Sequence, residues 1–421
     1  MSLQGPIIVV AEQPAIDVVE ALRTTGAFPI VETKWADAPT AFIAVKPAAV
    51  VIAEPGLSPS ETSARMLSLQ LATVNGTIVP TIARVLGQQG AAIPNALPAD
   101  AMLPVEHLIM RLRAAQRVRA LHSTVLRRIE NYASESGTLP ALPTGDALED
   151  ATVLIAGRGP LYPVLSVAIG ERVNMLGTFS VETAARHLDT RDIDGLVVGD
   201  GFPPRVVEAF LTGLAQDARF RDLPVAVIGE ASLELAENLP NIDFIDGDPE
   251  RLMARIAPPV RLHAFETRLK RMLASLKADG MFDPETGLLT RDAFWRDLHK
   301  AVAEASDRSQ ALSMARFTFD GSLAPRASRD AARLLTRLVR NIDFAMHDDD
   351  GALLVVFTQT NLRSAHVVVR RIAGALKSVM IPVSGPREKL TVNVTLATLK
   401  ASDTLDSLIQ RVMGNQVVAA E

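Results

Sequence analysis

The chain has 421 residues, of which 48% are hydrophobic, and its formal net charge is −5. This length predicts about two to four domains, with enough apolar side chains for a core in each. The acidic balance argues against a dedicated nucleic-acid-binding protein, and no apolar run is long enough to suggest a membrane-spanning helix.

The cysteine and histidine content limits the kinds of functional site that the chain can carry. The chain has no cysteine, which excludes disulfides, thiolate nucleophiles and cysteine-based metal sites and is compatible with a reducing compartment. The seven histidines are scattered without metal-ligand spacing. The first residues lack the basic and apolar segments of a secretory signal peptide. We therefore expect a cytoplasmic protein that has no metal centre, inserts into no membrane and binds no nucleic acid.

Strands and helices alternate in the first third of the chain, over residues 1–137. The predicted elements are strand 6–10, helix 15–25, strand 30–32, helix 36–44, strands 48–53 and 77–82, a weaker segment at 91–96, and a long arginine-rich helix at 103–134. This alternation predicts a parallel, doubly wound sheet, in which ligands lie at the carboxyl ends of the strands.

The same order restarts after a linker over residues 138–150 that lacks periodicity, and it fills residues 151–281. The predicted elements are strand 151–156, helix 161–169, strand 173–176, helix 181–188, strands 194–198, 223–228 and 242–245, and a basic helix at 249–276. Recurrence at roughly 145 residues indicates a duplicated domain rather than a solenoid. Pro258 and Pro259 should break or kink the last helix.

Both units resemble the receiver domains of response regulators, although the residues of phosphotransfer are missing. The resemblance implies an acidic pair after the first strand for Mg²⁺, an aspartate after the third strand and a lysine after the fifth. In the first unit Glu54 stands near the acceptor position and Leu103 stands in place of the lysine. A role for Glu54 as a mimic of the phosphorylated state remains open, beside the expectation of a docking or dimerisation module.

The second unit shows the same losses. Its first strand ends in Gly157-Arg158-Gly159, Gly199 or Asp200 stands at the acceptor position, and Gly247 replaces the lysine. An acceptor at Asp200 would lack the metal ligands that neutralise a transferred phosphoryl group. We therefore predict no phosphoacceptor in either unit.

The last third begins with Phe-Asp-Pro-Glu-Thr-Gly-Leu-Leu-Thr-Arg over residues 282–291, followed by an amphipathic helix at 293–305. This segment resembles the start of a GGDEF, or diguanylate cyclase, domain. The resemblance continues through strand 313–320, helix 331–340, strand 353–357, helix 361–377, strand 390–397, helix 405–413 and the terminal motif 414–418. It covers residues 282–421, and two receivers in front of such a domain are an arrangement known in this family.

The resemblance implies an α/β fold class for the whole chain. We expect two flavodoxin-like, doubly wound parallel sheets, followed by a GGDEF domain with a mixed or antiparallel sheet.

The catalytic signature of that family is lost here. Its cyclases hold Mg²⁺ on GTP with two carboxylates, and two glycines let the signature hairpin approach the nucleotide. Thr318 falls where the first carboxylate belongs, and the segment that would recognise guanine is too short. The signature positions are occupied by Asp349, Asp350, Gly351, Ala352 and Leu353. We therefore predict no turnover of GTP, no catalytic residue and no required cofactor; cation binding by residues 348–350 stays open beside a plain solvated turn.

One element of the family is kept. Arg340-Asn341-Ile342-Asp343 has the Arg-x-x-Asp spacing, and the distance to the signature, of the family's inhibitory site for cyclic di-GMP. An arginine fork suits guanine N7 and O6 or a phosphate, and Asp343 could accept hydrogen bonds from guanine N1–H and N2–H. The resemblance adds Arg371, with its neighbour Arg370, and an arginine of the second receiver-like unit, for which Arg172 is the candidate. The alternative is an i,i+3 helix ion pair, worth only about 0.2–0.5 kcal/mol.

The leading hypothesis is a non-catalytic effector or adaptor that binds cyclic di-GMP, forms a homodimer and relays the signal to protein partners through its receiver-like domains. The nearest functional parallel is a two-receiver, catalytically inactive member of this family that acts in cell-cycle-regulated proteolysis. A protease-adaptor pathway and recruitment to a cell pole are therefore further expectations. The alternatives are a scaffold or dimerisation protein that binds no nucleotide, and an active diguanylate cyclase.

Overall fold

A computed structural model of the chain describes residues 3–54, 77–87, 90–91, 93–136, 145–230, 232–277, 281–319, 325–379 and 392–414. Contacts divide the chain into an N-terminal unit, residues 2–122 with 141–270, and a C-terminal unit, residues 123–140 with 271–421. The predicted domain boundaries at 137/138 and 281/282 stay predictions. Among the described residues, no helix is both long and apolar enough to cross a membrane.

The first sheet of the N-terminal unit has five parallel strands in the order β2-β1-β3-β4-β5. Every residue of β1 and β3 is buried, because the strands of a parallel sheet are covered on both faces. The elements are β1 (Ile7–Val10), α1 (Ile16–Thr24), β2 (Ile30–Thr33), α2 (Ala38–Val45), β3 (Ala49–Ile52), β4 (Thr81–Val85), β5 (Leu97–Asp100) and α3 (Val105–Ser136).

The second sheet repeats that topology. Its parallel strands run β7-β6-β8-β9-β10, so both sheets have the flavodoxin-like order 2-1-3-4-5. The predicted α/β fold class with two parallel sheets is confirmed. The elements are β6 (Thr152–Ala156), α4 (Tyr162–Gly170), β7 (Asn174–Thr178), α5 (Val181–Thr190), β8 (Gly195–Val198), α6 (Pro204–Gln216), β9 (Val225–Ile228), α7 (Leu233–Asn238), β10 (Ile242–Ile245) and α8 (Pro249–Lys277).

Two strands of the first sheet lie later in the sequence than predicted, and proline explains both differences. The expected strand 77–82 contains Pro80, which has no N–H for a ladder, and β4 begins only at Thr81. The weak segment at 91–96 is not β5, which begins at Leu97 and includes Pro98. Because β5 is the edge strand of its sheet, it tolerates a proline that a central strand would not.

The helix α8 continues through Pro258 and Pro259, so the expected break is wrong, and the alternative expectation of a kink stays a prediction. A proline removes one helical hydrogen bond and crowds the preceding turn. Around the two prolines, the apolar face of the helix is buried in the core of the second sheet through Met253, Ile256 and Val260. This burial offsets the local cost and keeps the helix in one piece.

Charged side chains are buried inside the N-terminal unit. Arg111 of α3 is fully buried and donates to Asp243 of β10 at 3.2 Å and to the carbonyl oxygen of Pro240 at 3.0 Å. Arg255 of α8 pairs with the same carboxylate. Burial and the nearby Arg111 lower the pKa of His107 to about 3. This cluster ties α3 to the second sheet, and none of its members belongs to a predicted site.

The C-terminal unit holds a four-stranded sheet in the order β12-β13-β11-β14, and each of its strand pairs is antiparallel. Helices α9 and α12 cover one face, and α10 and α11 cover the other. The elements are α9 (Arg291–Asp307), β11 (Leu312–Phe319), α10 (Pro325–Leu338), β12 (Phe344–His347), β13 (Leu353–Thr358), α11 (Leu362–Val379), β14 (Val392–Thr398) and α12 (Leu405–Met413). Of the predicted terminal motif, only Gly414 lies within the described residues.

Candidate functional site

The Arg-x-x-Asp segment forms a tight connection between α10 and β12. Helix α10 ends at Leu338, and the Asp343 N–H donates to the carbonyl oxygen of Arg340 at 3.0 Å. The Asp343 carboxylate accepts the N–H of Thr358 at 3.1 Å, and the Thr358 hydroxyl donates to the carbonyl oxygen of Ile342 at 3.0 Å. The turn is therefore fastened to the end of β13, and the carboxylate is held in one position.

The two charged groups of this segment have opposite environments. Only 5% of Asp343 is exposed, and burial raises its pKa to about 7, although the nearby Arg340 opposes that change. Arg340 is exposed, lies beyond the last residue of α10, and makes no ion pair or side-chain hydrogen bond with any described residue. The i,i+3 helix ion pair is therefore not what holds this segment.

Arg370 and Arg371 lie on α11, the helix that packs beside α10 on the same face of the sheet. Val339, next to Arg340, and Val369, next to Arg370, belong to one apolar cluster. Both arginines are exposed and form no ion pair within the described part of the chain. Neither lines the cavity beside Asp343.

Arg172 lies in the N-terminal unit, just after α4. It lines a cleft of about 700 Å³ together with Met253 and Arg261 of α8. Its role as a ligand of the Arg340 site stays a prediction.

Sequence reasoning missed one residue that lines the cavity beside Asp343, Arg128 of α3. Arg128 lines a small cavity of about 40 Å³ with Arg340, Asn341, Asp343 and Phe344. In the sequence, Arg128 belongs to the arginine-rich face of the long predicted helix. That pattern does not indicate where the second half of the helix packs.

The residues predicted to occupy the signature positions, 349–353, lie in the hairpin between β12 and β13 and at the start of β13. Asp348 N–H donates to the carbonyl oxygen of Ala352 at 2.8 Å, and Gly351 adopts φ +83°, a conformation that favours glycine. Arg291 donates to Asp348 and to Asp349, each at 2.8 Å.

The third acidic residue of the hairpin is paired as well. Asp350 pairs with Arg316 of β11. Two arginines thus neutralise the acidic tip of the hairpin.

These residues do not fit the Mg²⁺ site that the GGDEF resemblance implies for cyclases. Thr318 of β11 stands opposite Asn393 of β14 and offers no carboxylate, and the hairpin carboxylates already have arginine partners. Within the described residues, no group of three or more acidic or histidine side chains is placed to hold a metal ion.

The positions that resemble phosphoacceptors are engaged in loop hydrogen bonds. The Glu54 carboxylate accepts the N–H groups of Glu12 at 2.9 Å and Gln13 at 2.6 Å, which joins the ends of β1 and β3. The Asp200 carboxylate accepts the N–H of Leu161 at 3.3 Å. Both carboxylates therefore fasten the loops at the carboxyl ends of their sheets.

No protein-family model and no curated protein matches this chain. Solved structures do show likeness. The coiled coil and GGDEF domain of DgcB from Caulobacter crescentus, in complex with c-di-GMP, is 21% identical and aligns over 35% of this chain and 84% of that chain, with a TM-score of 0.30. The FimX GGDEF domain from Pseudomonas aeruginosa is 16% identical over 32% of this chain and 89% of that chain, with a TM-score of 0.29.

The diguanylate cyclase SiaD from Pseudomonas aeruginosa, in complex with its activator SiaC, is 18% identical and aligns over 50% of this chain and 92% of that chain, with a TM-score of 0.30. At these TM-scores the likeness assigns neither an activity nor a ligand to the chain.

Proposed function

We propose that this chain is a non-catalytic effector that binds cyclic di-GMP at Arg340 and Asp343. The observation that carries the proposal is the exposed guanidinium of Arg340, which has no partner among the described residues, beside a carboxylate that Thr358 holds in place. An arginine without a protein partner next to a fixed acceptor has the chemistry to bind a planar, anionic ligand.

The ligand class follows from the donors and acceptors. Guanine offers an N2–H₂ donor and the N7 and O6 acceptors, so one base can face Asp343 with its N1–H and N2–H while its other edge or a phosphate meets an arginine. Arg370 and Arg371 add two exposed positive charges on the neighbouring helix. A dinucleotide with two guanines and two phosphates matches this set better than a single base does.

We also propose that the chain does not turn over GTP. The hairpin that would supply a metal-binding carboxylate carries Gly351 and Ala352 at those positions. Its acidic residues, which stand in place of the glycines, are paired with Arg291 and Arg316. Metal-assisted attack on a triphosphate needs carboxylates free to hold the ion, and this hairpin offers none.

The output of the effector is also proposed. The N-terminal unit would carry the signal to protein partners as receiver-like modules, in a homodimer within the cytoplasm and in a pathway such as adaptor-dependent proteolysis. Exposed apolar side chains support a partner-binding role for the second sheet: Val167 is 60% exposed and Phe179 is 64% exposed. Phe179 lies beside α4, the helix that carries Val167, because its ring is 4.9 Å from that of Tyr162, and exposed apolar patches are typical of protein-binding surfaces.

Titration calorimetry tests the ligand. Cyclic di-GMP should give a saturable isotherm, whereas cyclic di-AMP should give none, because adenine N1 is an acceptor that repels the Asp343 carboxylate. Equal binding of the two dinucleotides would contradict the recognition of guanine by Asp343. No heat from either would favour the scaffold alternative, which binds no nucleotide.

Incubation with GTP and Mg²⁺, followed by chromatography, tests the catalytic part. We expect GTP to be recovered unchanged. Formation of cyclic di-GMP would show that the chain is an active cyclase.

A further inference from the structure

The second half of α3, residues 123–136, packs within the C-terminal unit against α9, and we call it the docked segment. Its polar contacts converge on Asp297, a fully buried carboxylate. Arg127 Nε lies 2.6 Å from Asp297 Oδ1, and Asn131 Nδ2 lies 3.3 Å from the same oxygen. Arg127 Nη1 also donates to Glu304 at 3.2 Å. The segment is therefore held by specific buried charges and not by apolar contact alone.

Arg128 differs from its neighbour Arg127. It is 3% exposed, yet its buried Nε atom has no hydrogen-bond partner among the described residues. Its Nε lies 3.8 Å from Asp297 Oδ2, and its guanidinium lies 5.7 Å from the centre of the Phe282 ring. Burial lowers the pKa of Arg128 below its ordinary value. Burial of a guanidinium that has no hydrogen-bonded anion destabilises the folded state. Arg128 nevertheless lies buried beside the cavity of Arg340 and Asp343.

The cavity is too small for the proposed ligand. Its volume is about 40 Å³, whereas sites for small-molecule ligands occupy about 300–1,000 Å³. Asp343 is only 5% exposed, and Arg127 covers the ring of the adjacent Phe344 at 5.6 Å. A dinucleotide can therefore reach the Asp343 carboxylate from the cavity only if the docked segment moves away.

We infer that the docked segment and cyclic di-GMP compete for the Arg340 and Asp343 site, so that ligand binding releases residues 123–136 from α9. The inference rests on the proposed function and adds its regulation. When a site is open in only a fraction of molecules, the apparent affinity falls by that fraction. Here the docked segment determines the fraction of molecules in which the site is open. Ligand binding then releases residues 123–136 from α9, and this release is the signal.

Cross-linking the segment in place tests the competition. The Glu130 carboxylate lies 3.1 Å from the Lys300 ammonium of α9, and both side chains are partly exposed. Because the chain has no cysteine, a Glu130→Cys and Lys300→Cys double variant of the full chain has only these two thiols. A short bismaleimide would join them, and a monofunctional maleimide would modify both without joining them. The second product is the matched control.

The cross-linked protein should bind cyclic di-GMP at least about tenfold more weakly than the control, because the open fraction is reduced by that factor. The control should bind as wild type does. Equal affinities for the two products would overturn the competition while leaving the proposed function intact. Absence of binding in wild type and control alike would instead overturn the proposed function, and the competition with it.

Hydrogen exchange on wild-type protein gives a second, independent readout. Saturating cyclic di-GMP should increase exchange of the backbone amides of residues 123–136, and Arg340→Ala should abolish that increase. Unchanged or slower exchange in this segment on ligand binding would contradict the inference.

Discussion

The charged residues at the two ends of strand β12 differ in whether they have a partner within the protein. After the strand, Asp348 and Asp349 share Arg291, and the hairpin is closed by its own hydrogen bonds. Before the strand, Arg340 has no partner among the described residues, although a carboxylate lies three positions away in the sequence. Only four residues, Phe344–His347, separate the two ends.

This difference supports the proposal that a metal site is missing at one end of the strand while a ligand site is present at the other. Carboxylates that already have arginine partners gain little from a cation, whereas an unpaired, exposed guanidinium gains a strong, charge-assisted bond from an anionic ligand. The residue types are similar at both ends of the strand. The presence or absence of an internal partner decides which end remains available.

Removal of the Arg340 side chain is the largest expected perturbation. Arg340→Ala should weaken cyclic di-GMP binding about 100-fold or more, because hydrogen bonds to a charged group contribute about 1.5–3 kcal/mol each. Calorimetry measures the loss. Arg337→Ala is the matched control, since Arg337 is an exposed arginine in the last turn of α10, just before Arg340, and it should bind nearly as wild type does. Equal losses in both variants would indicate a general charge effect instead of a site.

The stability of the protein should depend on pH through Asp343. Burial raises its pKa to about 7 in the folded protein, above the ordinary value of about 3.9. The stability contribution is therefore fully present below about pH 4 and is lost as the pH rises through 7. Between pH 4 and pH 8 the loss should be on the order of 4 kcal/mol. Denaturant unfolding should show this loss in wild type relative to Asp343→Asn, and parallel pH profiles would contradict it.

Ligand affinity should depend on pH in the opposite sense. The ionised Asp343 carboxylate is the form that accepts both N1–H and N2–H of guanine, and its pKa is raised to about 7. Raising the pH from 6 to 8 should therefore strengthen binding by about tenfold. In Asp343→Asn the affinity should be weaker and nearly independent of pH. A wild-type affinity that stays constant over this range would show that the carboxylate does not take part.

The hairpin should give the smallest response. Asp349 is exposed, and surface ion pairs contribute about 0–1 kcal/mol. Asp349→Ala should therefore leave cyclic di-GMP affinity unchanged and alter the free energy of unfolding only slightly. A large loss of binding in this variant would show that the hairpin is part of the ligand site, and it would contradict the proposed difference between the two ends of β12.

Much of the architecture could be predicted because it depends on local patterns. Apolar runs such as Ala48–Ala53 and Ile242–Ile245 predicted buried strands, and their alternation with helices predicted parallel sheets. The strands that contain or follow prolines were placed wrongly, since only the position of a strand within its sheet decides whether a proline is tolerated. Strand β12 went unassigned, although it begins with a short apolar run, Phe344-Ala345-Met346, which is buried on both faces of the sheet.

The candidate site could be predicted only in part. The spacing of Arg340 and Asp343 is readable in the sequence, but the burial of Asp343 and the exposure of Arg340 are not. Arg128 could not be found, because it lies 212 positions before Arg340 in the numbering and nothing local indicates where the second half of α3 packs. The pairing of Arg291 and Arg316 with the hairpin carboxylates is likewise a product of tertiary structure.

The most direct test of the account is a calorimetric titration of the wild-type chain with cyclic di-GMP at pH 8, where Asp343 is ionised. The account predicts saturable binding, with a dissociation constant that rises about 100-fold or more in Arg340→Ala. The absence of binding in wild type, or the same isotherm in Arg340→Ala, would contradict it.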